Sequence, residues 1–314
     1  EIEDLSLKEA SGVDLRRLAM KAYGKGSAIY VEGLAVELPK SRLMVADILF
    51  DYGNMKKKGR YPMEEAICRL KIEPSKIYPD ELASFLPALS HLDSELGVSG
   101  EISATFPSAS VHNLNAYYGE DVLLSLSAEM DNVYRYGECN YELDLTHLFA
   151  SASGVSSITR AFVPSVQFPG MVNRLGFVEA SLSAHGKLSD LDVKLNANVA
   201  PGNVDMGGTV GYDAKDGDLM AKMDLKTTDF NLGILLDSAL SFGSVSVSVL
   251  TDVSILSKGN PSFSIEGKIP HFEFKGYDYR NINLDASYHG NKEAEVALAL
   301  GDSNLAFAVK GEAK

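Results

Sequence analysis

Residues 177–185 read Phe177-Val178-Glu179-Ala180-Ser181-Leu182-Ser183-Ala184-His185. Val178, Ala180, Leu182 and Ala184 share one parity and Glu179, Ser181, Ser183 and His185 the other, a period of two that marks a half-buried strand. The alternation recurs to the end of the chain. Val193, Leu195, Ala197 and Val199 form a second line, and Val204, Met206 and Val210 a third. Leu219 to Leu225, Val245 to Ile255, Phe263 to Phe274, Ile282 to Tyr288, Ala294 to Leu300 and Leu305 to Val309 complete nine strands. Pro270 lacks a donor for the ladder and predicts a bulge. Between the strands stand turn signals: Ser189-Asp190, Pro201-Gly202-Asn203, Asp216-Gly217-Asp218, Lys258-Gly259-Asn260-Pro261, His289-Gly290-Asn291 and Gly301-Asp302. Loops this short join antiparallel neighbours, because a parallel crossover needs about a dozen residues or more.

Upstream, strands are predicted at Ile2–Leu7, Ala28–Glu37, Ser41–Phe50, Glu64–Ile72, Glu95–Thr105, Val111–Tyr118, Asp121–Met130 and Val133–Leu143, seventeen in all. Four short segments carry a helix-start residue with apolar residues three or four apart: Asp14–Leu18, Pro79–Leu86, Asp144–Leu148 and Phe230–Leu236. They punctuate the strands as a weak internal repeat. Residues 150–176, with Ser151–Ser157, Pro164, Pro169 and Gly170, read as a linker, a loop or a short helix between an N-terminal block (1–149) and a C-terminal block (177–314). The two blocks are expected to form one continuous surface.

The chain has 314 residues, 45% of them apolar, enough for a sizeable core. Its formal charge of −14 and pI near 4.9 argue against a nucleic-acid partner, whose phosphates call for a basic footprint. There is no apolar run long enough for a membrane-spanning helix, and the chain opens with neither Met nor a signal-peptide pattern, so it reads as a piece of something longer. Cys68 and Cys139 are expected to be two separate buried thiols, a disulfide being the other reading.

Ser75-Lys76-Ile77-Tyr78-Pro79-Asp80-Glu81-Leu82, then Phe85-Leu86-Pro87, then Leu96-Gly97-Val98-Ser99-Gly100-Glu101-Ile102-Ser103 resemble the central region of AsmA/TamB-like envelope proteins of Gram-negative bacteria. Arg174-Leu175-Gly176-Phe177, Gly186 and Asp190, Thr228-Asp229-Phe230-Asn231-Leu232 and Lys275-Gly276-Tyr277-Asp278-Tyr279-Arg280-Asn281-Ile282 are similar to later strands of the same family. The resemblance implies a long, incompletely closed β-groove with a hydrophobic floor, held in the periplasm. It further implies phospholipid passage between the two membranes or assembly of outer-membrane proteins. The family's N-terminal membrane anchor and C-terminal domain have no counterpart in this stretch.

Signs of chemistry are few. His91, His112, His147, His185, His271 and His289 are scattered, with no metal-ligand spacing, and read as surface or strand-end residues. There is no G-x-S-x-G elbow, Walker loop or dinucleotide fingerprint. Asp213–Asp218 lacks the spacing and terminal glutamate of a calcium loop. Lys56-Lys57-Lys58-Gly59-Arg60 reads as a solvated basic loop, with contact to anionic headgroups as the alternative.

These observations predict an all-β chain, a long and mostly antiparallel meander curled into an open, taco-like groove with about four short helices at repeat boundaries. The rival arrangement is a closed two-sheet sandwich. The residues expected to line the groove hold the apolar parity at mid-strand: Leu182, Val193, Leu195, Val210, Leu225, Val247, Val249, Ile265, Ile282, Leu284, Val296 and Phe307. The expected function is a non-enzymatic segment of a periplasm-spanning lipid conduit, with no cofactor and no metal. Its expected partners are phospholipid acyl chains, neighbouring repeats of the parent chain and outer-membrane assembly proteins. Two alternatives stand beside it: a scaffold that offers sheet edges to outer-membrane strands by β-augmentation, and a sandwich for glycan binding or adhesion, against which the absence of tryptophan weighs.

Overall fold

A computed structural model describes residues 1–8, 14–53, 66–83, 87–105, 107–133, 135, 137–162, 170–213, 215–257, 259–290 and 293–313. The protein is all-β, an antiparallel meander, and divides into two compact units. One comprises residues 1–135 with 143–167, the other residues 136–142 with 168–314.

The first unit contains β1 (Ile2–Lys8), β2 (Asp14–Lys25), β3 (Ala28–Glu37), β4 (Arg42–Asp51), β5 (Ile67–Ile77), β6 (Leu96–Thr105), β7 (Ser108–Tyr118), β8 (Val122–Asp131) and most of β9 (Asn140–Ser151). Each strand from β1 to β8 pairs antiparallel with the next. The ladder threads Ala22, Val31, Ile48, Leu70, Ile102, Val111 and Ala128 into one apolar row across seven strands. Next to that row the register slips in five of these six ladders, at Gly33 (φ 61°) in β3 and around Asn113 (φ 49°) in β7 among others. A bulge adds a residue on one strand and increases local twist, so a line of them bends the sheet along a common crease. At one end of the apolar face, α1 (Pro79–Leu82), a 3-10 helix (Pro87–His91) and α2 (Ala152–Phe162) close over the strand ends. There Leu89, Leu92, Tyr118 and Ala161 form a buried cluster, with Leu82, Leu96, Val122 and Ile158 packed on it.

The second unit holds α3 (Gly170–Arg174), β10 (Phe177–Lys187), β11 (Asp190–Val199), β12 (Gly202–Asp213), β13 (Asp218–Asn231), α4 (Leu232–Leu236), β14 (Phe242–Ile255), β15 (Ser262–Phe274), β16 (Tyr277–His289), β17 (Glu293–Gly301) and β18 (Ala306–Ala313). All eight ladders from β10 to β18 are antiparallel. The bulge expected at Pro270 is present: Ser246 pairs with His271 and Ser248 with Lys268, so β15 carries one extra residue there. Helix α4 starts where the Asn231 side chain accepts the Ile234 amide at 2.9 Å and ends at Asp237, in the left-handed region at φ 56°.

Several local expectations are corrected. Asp14–Leu18 and Asp144–Leu148 are strand, within β2 and β9, and the described residues hold eighteen strands where seventeen were expected. The strand expected at Val133–Leu143 begins only at Asn140. In the second expected helix, α1 stops at Leu82, residues 84–86 lie outside the described residues, and the 3-10 helix follows. The fourth is α4, shorter than expected because Phe230 and Asn231 belong to β13. Residues 150–176 contain the end of β9, then α2 and α3, with 163–169 outside the described residues. Cys68 and Cys139 are both free, but only Cys139 is buried; Cys68, paired across the ladder with Phe50 and Ala104, is exposed. The Lys56–Arg60 run lies outside the described residues.

Candidate ligand-binding face

The twelve residues predicted to share a face do so in the second unit. Partners directly across an antiparallel ladder point to the same side, and the register can be followed from strand to strand. Leu182, Leu195, Met206, Leu225, Val249, Gly267, Leu284, Leu298 and Val309 form one row across all nine strands. The next row contains Val193, Ile265 and Val296, and the row beyond it Val210. Ile282 and Phe307 meet through Leu300, and Val247 lies opposite Thr227, two residues from Val249. No charged side chain interrupts these rows.

Gly267 is the one residue of the central row without a side chain, and the backbone requires it. A Cβ there would come within 2.3 Å of the Ser248 carbonyl oxygen and 2.6 Å of Val249 Cα. The gap leaves Leu284 unshouldered on the β15 side.

The opposite face differs in kind. Its central row reads Ser183, Lys194, Gly207, Asp224, Leu250, Glu266, Asp285, Ala297 and Lys310. Lys226 pairs with Asp224 at 2.6 Å and Lys222 with Asp252 at 3.3 Å on this side. Burial follows the same division: Ala180, Ala184, Ala197, Val245, Val249, Ile282 and Leu300 are buried on the apolar side. That side nevertheless offers accessible hydrocarbon. Ile255 is 48% exposed, Phe263 43%, Val296 46%, Phe307 42% and Val309 59%, and exposed large apolar groups on one contiguous face mark a binding surface more often than chance does.

At the α4 end of the face the side chains become aromatic. Phe242 lies 5.2 Å from Phe274, Phe272 is stacked on Phe274 at 6.1 Å, and Tyr277 meets Tyr279 edge-on at 4.6 Å. Cross-strand pairing of Phe242 with Phe274, Phe272 with Tyr279 and Phe274 with Tyr277 assembles the group. Met206, Leu298, Val309 and this aromatic end complete the face beyond the twelve predicted residues. Each carries the parity signal, but only the register shows that they are contiguous with the twelve.

The remaining sequence candidates resolve into structure. Asp213 accepts the Lys215 and Asp216 amides at 2.8 and 3.4 Å, and Asp218 accepts the Ser257 amide at 2.8 Å, so this loop is a hairpin turn tied by its own carboxylates. His271 is no strand-end residue. It lies within β15 between Ser244 and Asp278.

Comparison with models of protein families, with curated proteins and with solved structures finds no match to this chain.

Proposed function

We propose that the apolar face of β10–β18 shelters the acyl chains of phospholipids without chemistry at that face, and that the chain is a segment of a lipid conduit in the envelope of a Gram-negative bacterium. The observation that carries this reading is the row from Leu182 to Val309, which crosses nine consecutive strands without a charge. A groove that must pass hydrocarbon gains about 0.8 kcal/mol for each methylene it takes from water, and loses much of that wherever it presents a charge. The periplasmic setting and passage between two membranes come from the family resemblance of the sequence. The physical support is the two-faced sheet and its exposed hydrocarbon. Lipid extraction followed by mass spectrometry on detergent-free protein tests the reading. Phospholipid recovered with the chain is the expected result, and a lipid-free chain that takes up no fluorescent phospholipid from vesicles would overturn it.

A further inference from the structure

Three side chains on the polar face of the second unit stand in the order of a nucleophile, a base and the group that orients the base. Ser244 Oγ lies 2.8 Å from His271 Nε2. His271 Nδ1 is in contact with Asp278 Oδ1, and the other Asp278 oxygen is held by Arg280, at 2.8 Å from Nε and 2.7 Å from a terminal nitrogen. The residues come from three successive strands, β14, β15 and β16, and the β15 bulge at Pro270 sets His271 in line with both neighbours.

The contacts fix the proton. Asp278 Oδ1 is buried and has no hydrogen-bond partner among the described residues; it touches His271 Nδ1 as a close contact of the ion-pair kind, without the alignment of a hydrogen bond. Burial works against ionisation of Asp278, but the Arg280 guanidinium and the adjoining His271 imidazole outweigh it and hold the carboxyl below the usual carboxylate range. Two lone pairs facing at that contact would repel, so the neutral imidazole carries its proton on Nδ1. Its Nε2 lone pair is then free to accept the Ser244 hydroxyl, the arrangement by which a serine is activated as a nucleophile.

The geometry points to Ser244 as a reactive nucleophile that accepts acyl groups from activated esters, a chemistry separate from the apolar face and independent of the lipid reading. In the step inferred, Ser244 Oγ attacks the acyl carbonyl carbon and its proton passes to His271 Nε2. The bond to the leaving oxygen or sulfur breaks, and that atom takes the proton from His271. The product is an ester of Ser244; water then attacks its carbonyl carbon, giving a proton to His271 Nε2, and the bond to Ser244 Oγ breaks as Oγ takes that proton back, releasing a carboxylic acid. The Ser244 amide donates to the Glu273 carboxylate at 3.5 Å and so is not free to stabilise an oxyanion. This limits the donors to those with good leaving groups, aryl esters and thioesters.

The test treats the full chain with p-nitrophenyl acetate and, separately, with a fluorophosphonate probe, and maps adducts by intact mass and peptide sequencing. One adduct per chain on Ser244 is expected, absent in Ser244→Ala. His271→Gln should slow it roughly a hundredfold, the scale of general-base assistance. Asp278→Asn, which keeps the side-chain shape, should slow it as well without changing the circular dichroism spectrum; it also carries the comparison should His271→Gln not fold. Labelling spread over surface serines, no labelling, or a Ser244 adduct that forms at the same rate in the folded His271 and Asp278 variants would each overturn the proposal.

Discussion

Leu284→Asp puts one negative charge at the centre of the uncharged row. Leu284 is half-buried, flanked by Leu298 on one strand and by the bare backbone of Gly267 on the other. A fully buried leucine contributes about 1.5–3 kcal/mol, so loss of a half-buried one costs about 1 kcal/mol of fold stability. In a unit of this size that lowers the melting temperature by about 2–4 °C, leaving the protein folded at room temperature. The effect on a bound acyl chain is larger. If about three methylenes must stay in water beside the carboxylate, about 2.4 kcal/mol is lost, roughly fiftyfold in affinity. The assay is titration with a fluorescent phospholipid, with Leu284→Ala and Asp285→Asn as companions. Leu284→Ala should lose only a few-fold, and Asp285→Asn, one residue along but on the polar face, should bind as wild type. Unchanged binding by folded Leu284→Asp would refute the assignment of this face as the lipid surface; equal losses in Leu284→Asp and Asp285→Asn would refute the argument from faces.

Other predictions concern the frame around the face. Asn231→Ala removes the acceptor of the Ile234 amide and should destabilise by about 1 kcal/mol, read as a lower midpoint in urea with unchanged slope. Thiol titration should find one fast-reacting group, Cys68, and a second that reacts only after denaturation, Cys139. Asp302 is held below the usual carboxylate range, first by the hydroxyl of Tyr277 at 2.5 Å and then by the Asn304 amide at 2.9 Å. A carboxylate depressed in the folded state stabilises above its unfolded pKa, near 4, and that contribution is lost as pH falls through the folded value. Asp302→Asn should therefore lower stability at pH 7, converge on wild type in acid and so flatten the acid limb below about pH 4; an acid limb identical to wild type would count against this hydrogen-bond network.

The nine strands of the second unit were legible because period-two alternation survives through most of each ladder, and the parity that picked Leu182, Leu225 and Leu284 is the parity the register confirms. The misreadings fall where the period breaks. In β2, Leu15 and Leu18 stand three apart, as on a helix, but their partners Leu7 and Leu5 stand two apart, because β2 carries an extra residue between them. A bulge in a strand thus imitates one turn of helix. In β9 the alternation of Tyr141, Leu143 and Leu145 continues to His147, a polar residue at an apolar position, so the signal ends before the strand does. The Ser244, His271 and Asp278 group left no trace in the sequence. Its members are 27 and 7 residues apart, and only strand register with a one-residue bulge brings them together.

Pairing of each strand with its successor has a kinetic consequence. From β10 to β18 the turns are short except at α4, so most contacts join residues close in sequence, and little loop entropy is spent before each pairing is rewarded. A sheet of this kind can lengthen one hairpin at a time as the chain leaves the ribosome. Each newly made strand then has its partner already waiting, and the interval in which an unpaired hydrophobic strand is open to other chains is kept short.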